Sequence, residues 1–102
     1  MPYQILSADA DKLCVALTGE IDHHTAAPLR AGIDEEILRY LPRRLILDFS
    51  GVTFMDSSGI GLVMGRYRLL EPFGGTVELA NVPAPLKKVM SVAGLARLAR
   101  FG

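Results

Sequence analysis

The chain begins with two segments in which apolar and polar residues alternate, the pattern of a half-buried β-strand. The first covers residues 3–8, and the second covers residues 12–18, with the sequence KLCVALT. The segment Asp9-Ala10-Asp11 separates the two strands and predicts a turn. We therefore expect the fold to open with a β-hairpin.

From Thr25 the spacing of apolar residues lengthens to that of an amphipathic helix. Its apolar stripe consists of Ala26, Leu29, Ile33, Ile37, Tyr40 and Leu41. Pro42 is expected to end this helix, because proline lacks the N–H that would continue the hydrogen bonding. The same spacing predicts a helix at residues 57–70 and another at residues 83–93, with Gly94 as the C-terminal cap of the latter.

Two short apolar runs lie between these helices. Residues 44–49 (RLILDF) lack alternation, which predicts a central strand covered by helices on both faces, followed by a loop at residues 50–53. Residues 76–81 predict another strand, and residues 98–101 predict either a last half-turn or an edge strand. The order ββαβαβα indicates an α/β fold with one open mixed sheet and right-handed crossovers.

Composition fits one domain spanning residues 1–102, since 50% of the residues are hydrophobic. Lys and Arg balance Asp and Glu at 11 each, and no basic run exceeds two residues, so we expect no direct binding of nucleic acid. No apolar window approaches 18 residues and no leader peptide is visible, which predicts no membrane partner. The lone Cys14, expected in the core, is compatible with a cytoplasmic location.

The candidate chemistry lies in the segment FMDSSGIG, where a predicted strand passes into a helix. The first N–H groups of a helix lack internal partners and the helix dipole is positive there, so a hydroxyl or an anion is stabilised. In the simplest interpretation, Asp56, Ser57 or Ser58 is the N-cap. Gly59 and Gly61 then allow the backbone to pack closely against the sheet.

Three chemical alternatives compete with simple capping. The nucleophile motif G-x-S-x-G is absent, and the adjacent His23 and His24 do not pair with the serines in a recognisable pattern. The motif G-x-x-x-x-G-K-[ST] is also absent, which excludes Walker-type binding and leaves weak binding of a nucleotide or anion open. The run Asp22-His23-His24 supplies too few ligands for a two-metal site.

A fourth interpretation is that one serine accepts a phosphoryl group from a kinase. A phosphate adds roughly −1.5 to −2 charges at pH 7, and the positive end of a helix tolerates it. Such a modification should leave the domain folded. Its effect would therefore act on a partner surface, through charge repulsion and the cost of desolvating the phosphate on docking.

Three segments closely resemble the anti-sigma factor antagonists with a STAS domain, in particular those of the sporulation sigma-F pathway. They are GEIDHHTAAPLR at residues 19–30, LILDFSGVTFMDSSGIGLVMGRYRLL at residues 45–70 and SVAGLARLARFG at residues 91–102. The resemblance extends in register over nearly the whole chain. It implies a single STAS domain, with a mixed sheet of four to five strands and helices packed on one side.

The resemblance also implies a partner-switching cycle that regulates transcription. In that family the unphosphorylated protein binds an anti-sigma factor that is also a serine kinase, and this frees the sigma factor. Phosphorylation abolishes the binding, and a PP2C-type phosphatase reverses it. The protein is then a substrate of these partners and not an enzyme, with no cofactor or metal. A STAS scaffold or ligand-sensing module in another signalling complex remains the alternative.

Matching positions assign roles to individual residues. The phosphoryl acceptor implied by the resemblance is Ser57. The residues expected to support its loop are Asp56, Ser58 and Gly59, and those expected to contact the partner are Asp22, Ile60 and Gly61. Arg66 and Arg68, farther along the same helix, are expected on its solvated face.

Overall fold

The computed structural model describes residues 3–97 and 99–101. In chain order the elements are β1 (Tyr3–Ala8), β2 (Lys12–Ile21), α1 (His23–Tyr40), β3 (Arg44–Met55), α2 (Ser57–Leu70), β4 (Thr76–Ala80), α3 (Ala84–Val92) and β5 (Arg100–Phe101). Two short 3-10 helices, Glu71–Phe73 and Leu95–Arg97, follow α2 and α3. The predicted order of strands and helices is confirmed. No helix in this part of the chain is long and apolar enough to cross a membrane.

The five strands form one sheet in the order β1-β2-β3-β4-β5. β1 and β2 pair antiparallel, which confirms the hairpin, and the other three pairs are parallel. Each parallel crossover moves one strand farther in the same direction. Because such crossovers are right-handed, α1, α2 and α3 lie on the same face of the sheet. The mixed sheet with helices on one side, implied by the resemblance, is therefore confirmed.

The core lies between this face and the helices. Alternate residues of β2 and β3 are fully buried there, and the residues between them are half-buried on the open face. The prediction that the central strand is covered on both faces is therefore wrong. Its alternation is hidden in the sequence because Ile46, on the open face, is also apolar. Cys14, expected in the core, lies on the open face and is half-buried.

β2 and β3 extend beyond their predicted ends, to Ile21 and Met55. The predicted loop at residues 50–53 is part of β3, which pairs with β2 well past the last residue that pairs with β4. Two register shifts in this part of the β2–β3 pair disturb the alternation of apolar residues, so the strand pattern is lost. The longer strands bring the loops that follow them side by side.

The ends of α2 are as predicted, whereas those of α1 and α3 differ from the prediction by one or two residues. α1 begins at His23, two residues before the predicted start, so that Thr25 is its third residue. α3 ends just before Gly94, whose φ of +87° is readily adopted only by glycine. Of the predicted C-terminal segment, Leu98 lies outside the described residues. Arg100–Phe101 is an edge strand paired with β4.

The prediction that Arg66 lies on the solvated face of α2 is wrong. Arg66 is buried, with only 6% of its surface exposed. Its Nε atom lies 2.8 Å from Oδ1 of Asp34 on α1. The two atoms are close enough for an ion pair, although their alignment is not that of a hydrogen bond. This pair links α1 to α2. Arg68 is exposed, as expected.

Candidate functional site

The candidate site lies where β2 and β3 end. These strands are parallel neighbours, and their last residues, Ile21 and Met55, are paired in register. The backbone N–H of Asp56 donates to the carbonyl oxygen of Ile21 at 3.1 Å. Asp22 and Asp56 are thus equivalent residues, each the first after its strand, at the same edge of the sheet. This edge is where α/β folds commonly bind ligands.

Asp22 is the N-cap of α1. Its Oδ1 atom accepts hydrogen bonds from the backbone N–H groups of His24 at 2.9 Å and Thr25 at 3.0 Å. The Thr25 hydroxyl oxygen accepts from the backbone N–H of Asp22 at 2.9 Å, which completes a capping box. The bond from the Thr25 backbone is the main reason why the pKa of Asp22 lies below its ordinary value. The other carboxylate oxygen, Oδ2, makes no hydrogen bond within the described residues.

Asp56 is the N-cap of α2, which settles the question that the sequence leaves open. Its side chain accepts a hydrogen bond from the backbone N–H of Ser58 at 2.8 Å. Its carbonyl oxygen accepts another from Gly59 at 3.0 Å. Ser57 is therefore the first residue of α2, and it is exposed, whereas Ser58 is half-buried. The Ser57 hydroxyl stands at the positive end of the helix.

The glycines of this segment differ in their surroundings. Gly59 is buried, and a Cβ atom there would overlap the side chain of Met55 and touch Ile21. Glycine is needed at this position because α2 begins directly against the ends of β2 and β3. Gly61 is exposed, and a Cβ atom there would meet nothing within 4 Å. Packing within the chain therefore does not require glycine at position 61.

Two apolar residues flank the exposed serine. Ile60 is partly buried and packs against the core, so only part of its surface is open to a partner. Phe54, two residues before Asp56, has 50% of its surface exposed. The sequence does not predict this exposure, because Phe54 follows the predicted loop at residues 50–53 and yet lies in β3.

A cleft of about 410 Å³ opens between the N-terminal halves of α1 and α2. We call it the α1–α2 cleft, and its lining residues are His23, Ala26, Ala27, Arg30, Ser58, Gly61 and Leu62. The sequence gives no sign of the cleft, because its walls come from two separate helices, α1 and α2. Of these lining residues, the sequence predicts only Ser58 and Gly61 as part of the site.

The structure bears on the alternatives of a catalytic serine and of a metal site. The rings of His23 and His24 lie 4.0 Å apart, and no hydrogen bond joins either ring to Ser57 or Ser58 in the described structure. Within residues 3–97 and 99–101, no group of three or more His, Cys, Asp or Glu side chains is placed to hold a metal ion. The site presents the exposed hydroxyl of Ser57 at the start of α2, beside the capped start of α1.

The family model of the STAS domain matches residues 4–101. The chain is also 37% identical over 86 residues to an anti-sigma F factor antagonist of Paenibacillus polymyxa, covering 84% of this chain and 74% of that protein. A protein of the same description from Lysinibacillus sphaericus is 37% identical over 95 residues, covering 93% of this chain and 81% of the relative.

Solved structures agree with these matches. The anti-sigma factor antagonist SpoIIAA in its unphosphorylated form is 34% identical, with a TM-score of 0.84 over 98% of this chain and 87% of that one. The Bacillus cell fate determinant SpoIIAA in the phosphorylated form gives a TM-score of 0.76 at the same identity, over 98% and 90%. The chain belongs to the STAS domain family and groups with the anti-sigma factor antagonists of the SpoIIAA type.

Proposed function

We propose that the protein is a phosphorylation-controlled antagonist of an anti-sigma factor and that Ser57 is its phosphoryl acceptor. The position of Ser57 carries the proposal: it is the exposed first residue of α2, directly after the capping Asp56. Ser58 is half-buried and lines the α1–α2 cleft, so it is less accessible to a kinase. The names of the similar proteins, together with a related structure in a phosphorylated form, support this function.

A phosphate on Ser57 would change the surface and leave the fold intact. The positive end of the α2 dipole stabilises a negative group at the first helical residue. The Asp56 carboxylate nearby opposes it, so the net effect on stability is small. A partner that docks at this edge would meet a dianion that must lose its hydration. Binding is therefore lost through the interface and not through unfolding.

The proposed partners follow from this switch. The unphosphorylated protein binds an anti-sigma factor that is also a serine kinase, called here the anti-sigma factor kinase, and frees the sigma factor. A PP2C-type phosphatase restores the binding form. Asp22, Ile60 and Gly61 are proposed to contact the kinase, and Asp22 can offer its Oδ2 atom, which accepts no hydrogen bond from the described residues. The cycle operates in the cytoplasm, where a sigma factor acts.

The direct test is to incubate the protein with ATP and the cognate anti-sigma factor kinase and to measure its intact mass. We expect one added phosphate, which is absent from Ser57→Ala and present in the matched control Ser58→Ala. Peptide mapping should locate the phosphate on Ser57. Undiminished labelling of Ser57→Ala would contradict the assignment, and no labelling of any form would favour a STAS scaffold or sensor module.

A further inference from the structure

The α1–α2 cleft contains one arginine, Arg30, that makes no close ion pair with the described part of the chain. Arg30 lines the cleft and has no ion-pair partner within 4 Å among the described residues. Arg39, on the same helix, lies within ion-pair distance of both Glu35 and Glu36. Asp34 is near enough for its charge to interact with that of Arg30, but its carboxylate lies 2.8 Å from Arg66. The guanidinium of Arg30 is therefore available to an acceptor from outside the chain.

The cleft is open because the residues between its polar walls are small. Ala26 and Ala27 line it from α1, and Gly61 lines it from α2. The position of a Cβ atom on Gly61 has no atom within 4 Å, so a side chain there would project into open space. The space is large enough for a partner side chain to enter. The cleft also lies next to the phosphoryl acceptor, because Ser58 lines it and directly follows Ser57.

We propose that the α1–α2 cleft receives an acidic side chain of the anti-sigma factor kinase and that its carboxylate pairs with Arg30. This proposal rests on the proposed function and adds a recognition element to it. An arginine guanidinium binds a carboxylate through two parallel hydrogen bonds, a geometry that gives specificity. The lining includes Arg30, His23 and the Ser58 hydroxyl, so an acidic group fits it better than an apolar one.

The same contact explains how one phosphate controls binding. A phosphoryl group on Ser57 would place a negative charge beside the opening of the cleft. It would repel the incoming carboxylate and compete with it for Arg30. Arg30 is thus a specificity-determining residue for the partner, whereas Ser57 is the residue that is modified.

A steric test uses Gly61 and Gly65, the two glycines of α2 at which an added side chain meets no other atom. Gly61→Leu would fill the cleft, whereas Gly65→Leu adds the same side chain one turn later, where a Cβ atom also meets nothing within 4 Å. We expect Gly61→Leu to weaken binding of the unphosphorylated protein to the purified kinase about tenfold or more. Gly65→Leu should bind within about twofold of the parent. Thermal melting should show both variants folded.

A charge test uses two arginines. We expect Arg30→Gln to weaken binding about tenfold and to reduce its dependence on salt concentration, because one attractive charge pair is lost. Arg68→Gln is the matched control, since Arg68 is exposed on α2 and does not line the cleft. It should bind as the parent does.

The outcomes separate this proposal from the one on which it rests. If the parent protein neither binds the kinase nor accepts a phosphate, the proposed function fails. If the parent does both, while Gly61→Leu and Arg30→Gln bind equally well, only the cleft proposal is overturned. If Gly61→Leu weakens binding and Arg30→Gln does not, the cleft accepts an uncharged group and the assignment of a carboxylate is wrong.

Discussion

The backbone N–H of Asp56 donates a hydrogen bond to the carbonyl oxygen of Ile21, 3.1 Å away. This bond joins the ends of two parallel strands and places the capping residues Asp22 and Asp56 at one edge of the sheet. The start of α1, capped by Asp22, and the start of α2, where Ser57 lies, are therefore neighbours at this edge. A partner that docks on one helix start is close to the other, so a phosphate on Ser57 can disturb contacts made by both.

Capping and partner binding by Asp22 can be separated with two variants. Asp22→Ala removes the acceptor for two backbone N–H groups, so we expect the melting temperature to fall by a few degrees. Asp22→Asn keeps an oxygen acceptor and should retain most of the stability, while its affinity for the kinase falls because the charge is lost. Thermal melting and a binding isotherm measure the two effects. Undiminished affinity of Asp22→Asn would leave Asp22 with a capping role alone.

The cap also predicts a pH dependence. The pKa of Asp22 in the folded protein lies below its ordinary value of 3.8, mainly because the carboxylate accepts the Thr25 backbone N–H. Its contribution to stability is therefore fully present above the unfolded pKa and is lost as the pH falls through the folded pKa. Urea unfolding should show the parent more stable than Asp22→Asn at pH 7, with a smaller difference at pH 3. A difference that stays constant over this range would contradict the assignment.

Gly59 should be the glycine of α2 that tolerates substitution least. In Gly59→Ala the new methyl group overlaps the Met55 side chain, so either that side chain or the start of α2 must shift. We expect the free energy of unfolding to fall by about 1–3 kcal/mol. In the control, Gly65→Ala, nothing obstructs the methyl group, and the higher helix propensity of alanine should raise stability by up to about 1 kcal/mol. Equal effects of both changes in urea unfolding would show that the close packing at Gly59 has no energetic role.

The ion pair between Arg66 and Asp34 should matter more than exposed pairs on α1. Asp34→Ala leaves the Arg66 guanidinium buried without an opposing charge, and we expect a loss of about 2 kcal/mol. The value lies below that of a fully buried pair because the Asp34 side chain is 29% exposed. The control is Glu35→Ala, which breaks an exposed contact with Arg39 and should cost less than about 0.5 kcal/mol. Urea midpoints that fall equally would refute this ranking.

Much of the fold follows from the periodicity of the sequence. α2 is predicted to the residue because its apolar residues recur at helical spacing, and the hairpin because its two strands alternate. The parallel strands are predicted as short apolar runs between the helices. The second half of β3 could not be predicted, since register shifts against β2 break the alternation there. The burial of Arg66 could not be predicted either. Its partner Asp34 lies on another helix, and only the packing of α1 against α2 brings them together.

Part of the candidate site can likewise be predicted from the sequence, and part cannot. Local chemistry indicates that a hydroxyl or an anion is stabilised at the start of α2, and the family resemblance singles out Ser57. The geometry adds that Asp56 is the cap and that Ser57 is exposed while Ser58 is half-buried. The α1–α2 cleft depends on small residues from both helices and on the distance between them. The cleft cannot be predicted from the sequence, because that distance is set by the packing of the two helices.

The central claim is that one phosphate on Ser57 abolishes binding while the fold is kept. The most direct measurement compares the affinities of the purified unphosphorylated and Ser57-phosphorylated proteins for the anti-sigma factor kinase, with their melting temperatures as a control. We predict that phosphorylation weakens binding about a hundredfold or more, changes the melting temperature little, and is reversed by treatment with a phosphatase. Equal affinities of the two forms would contradict the claim, as would a loss of binding that is accompanied by unfolding.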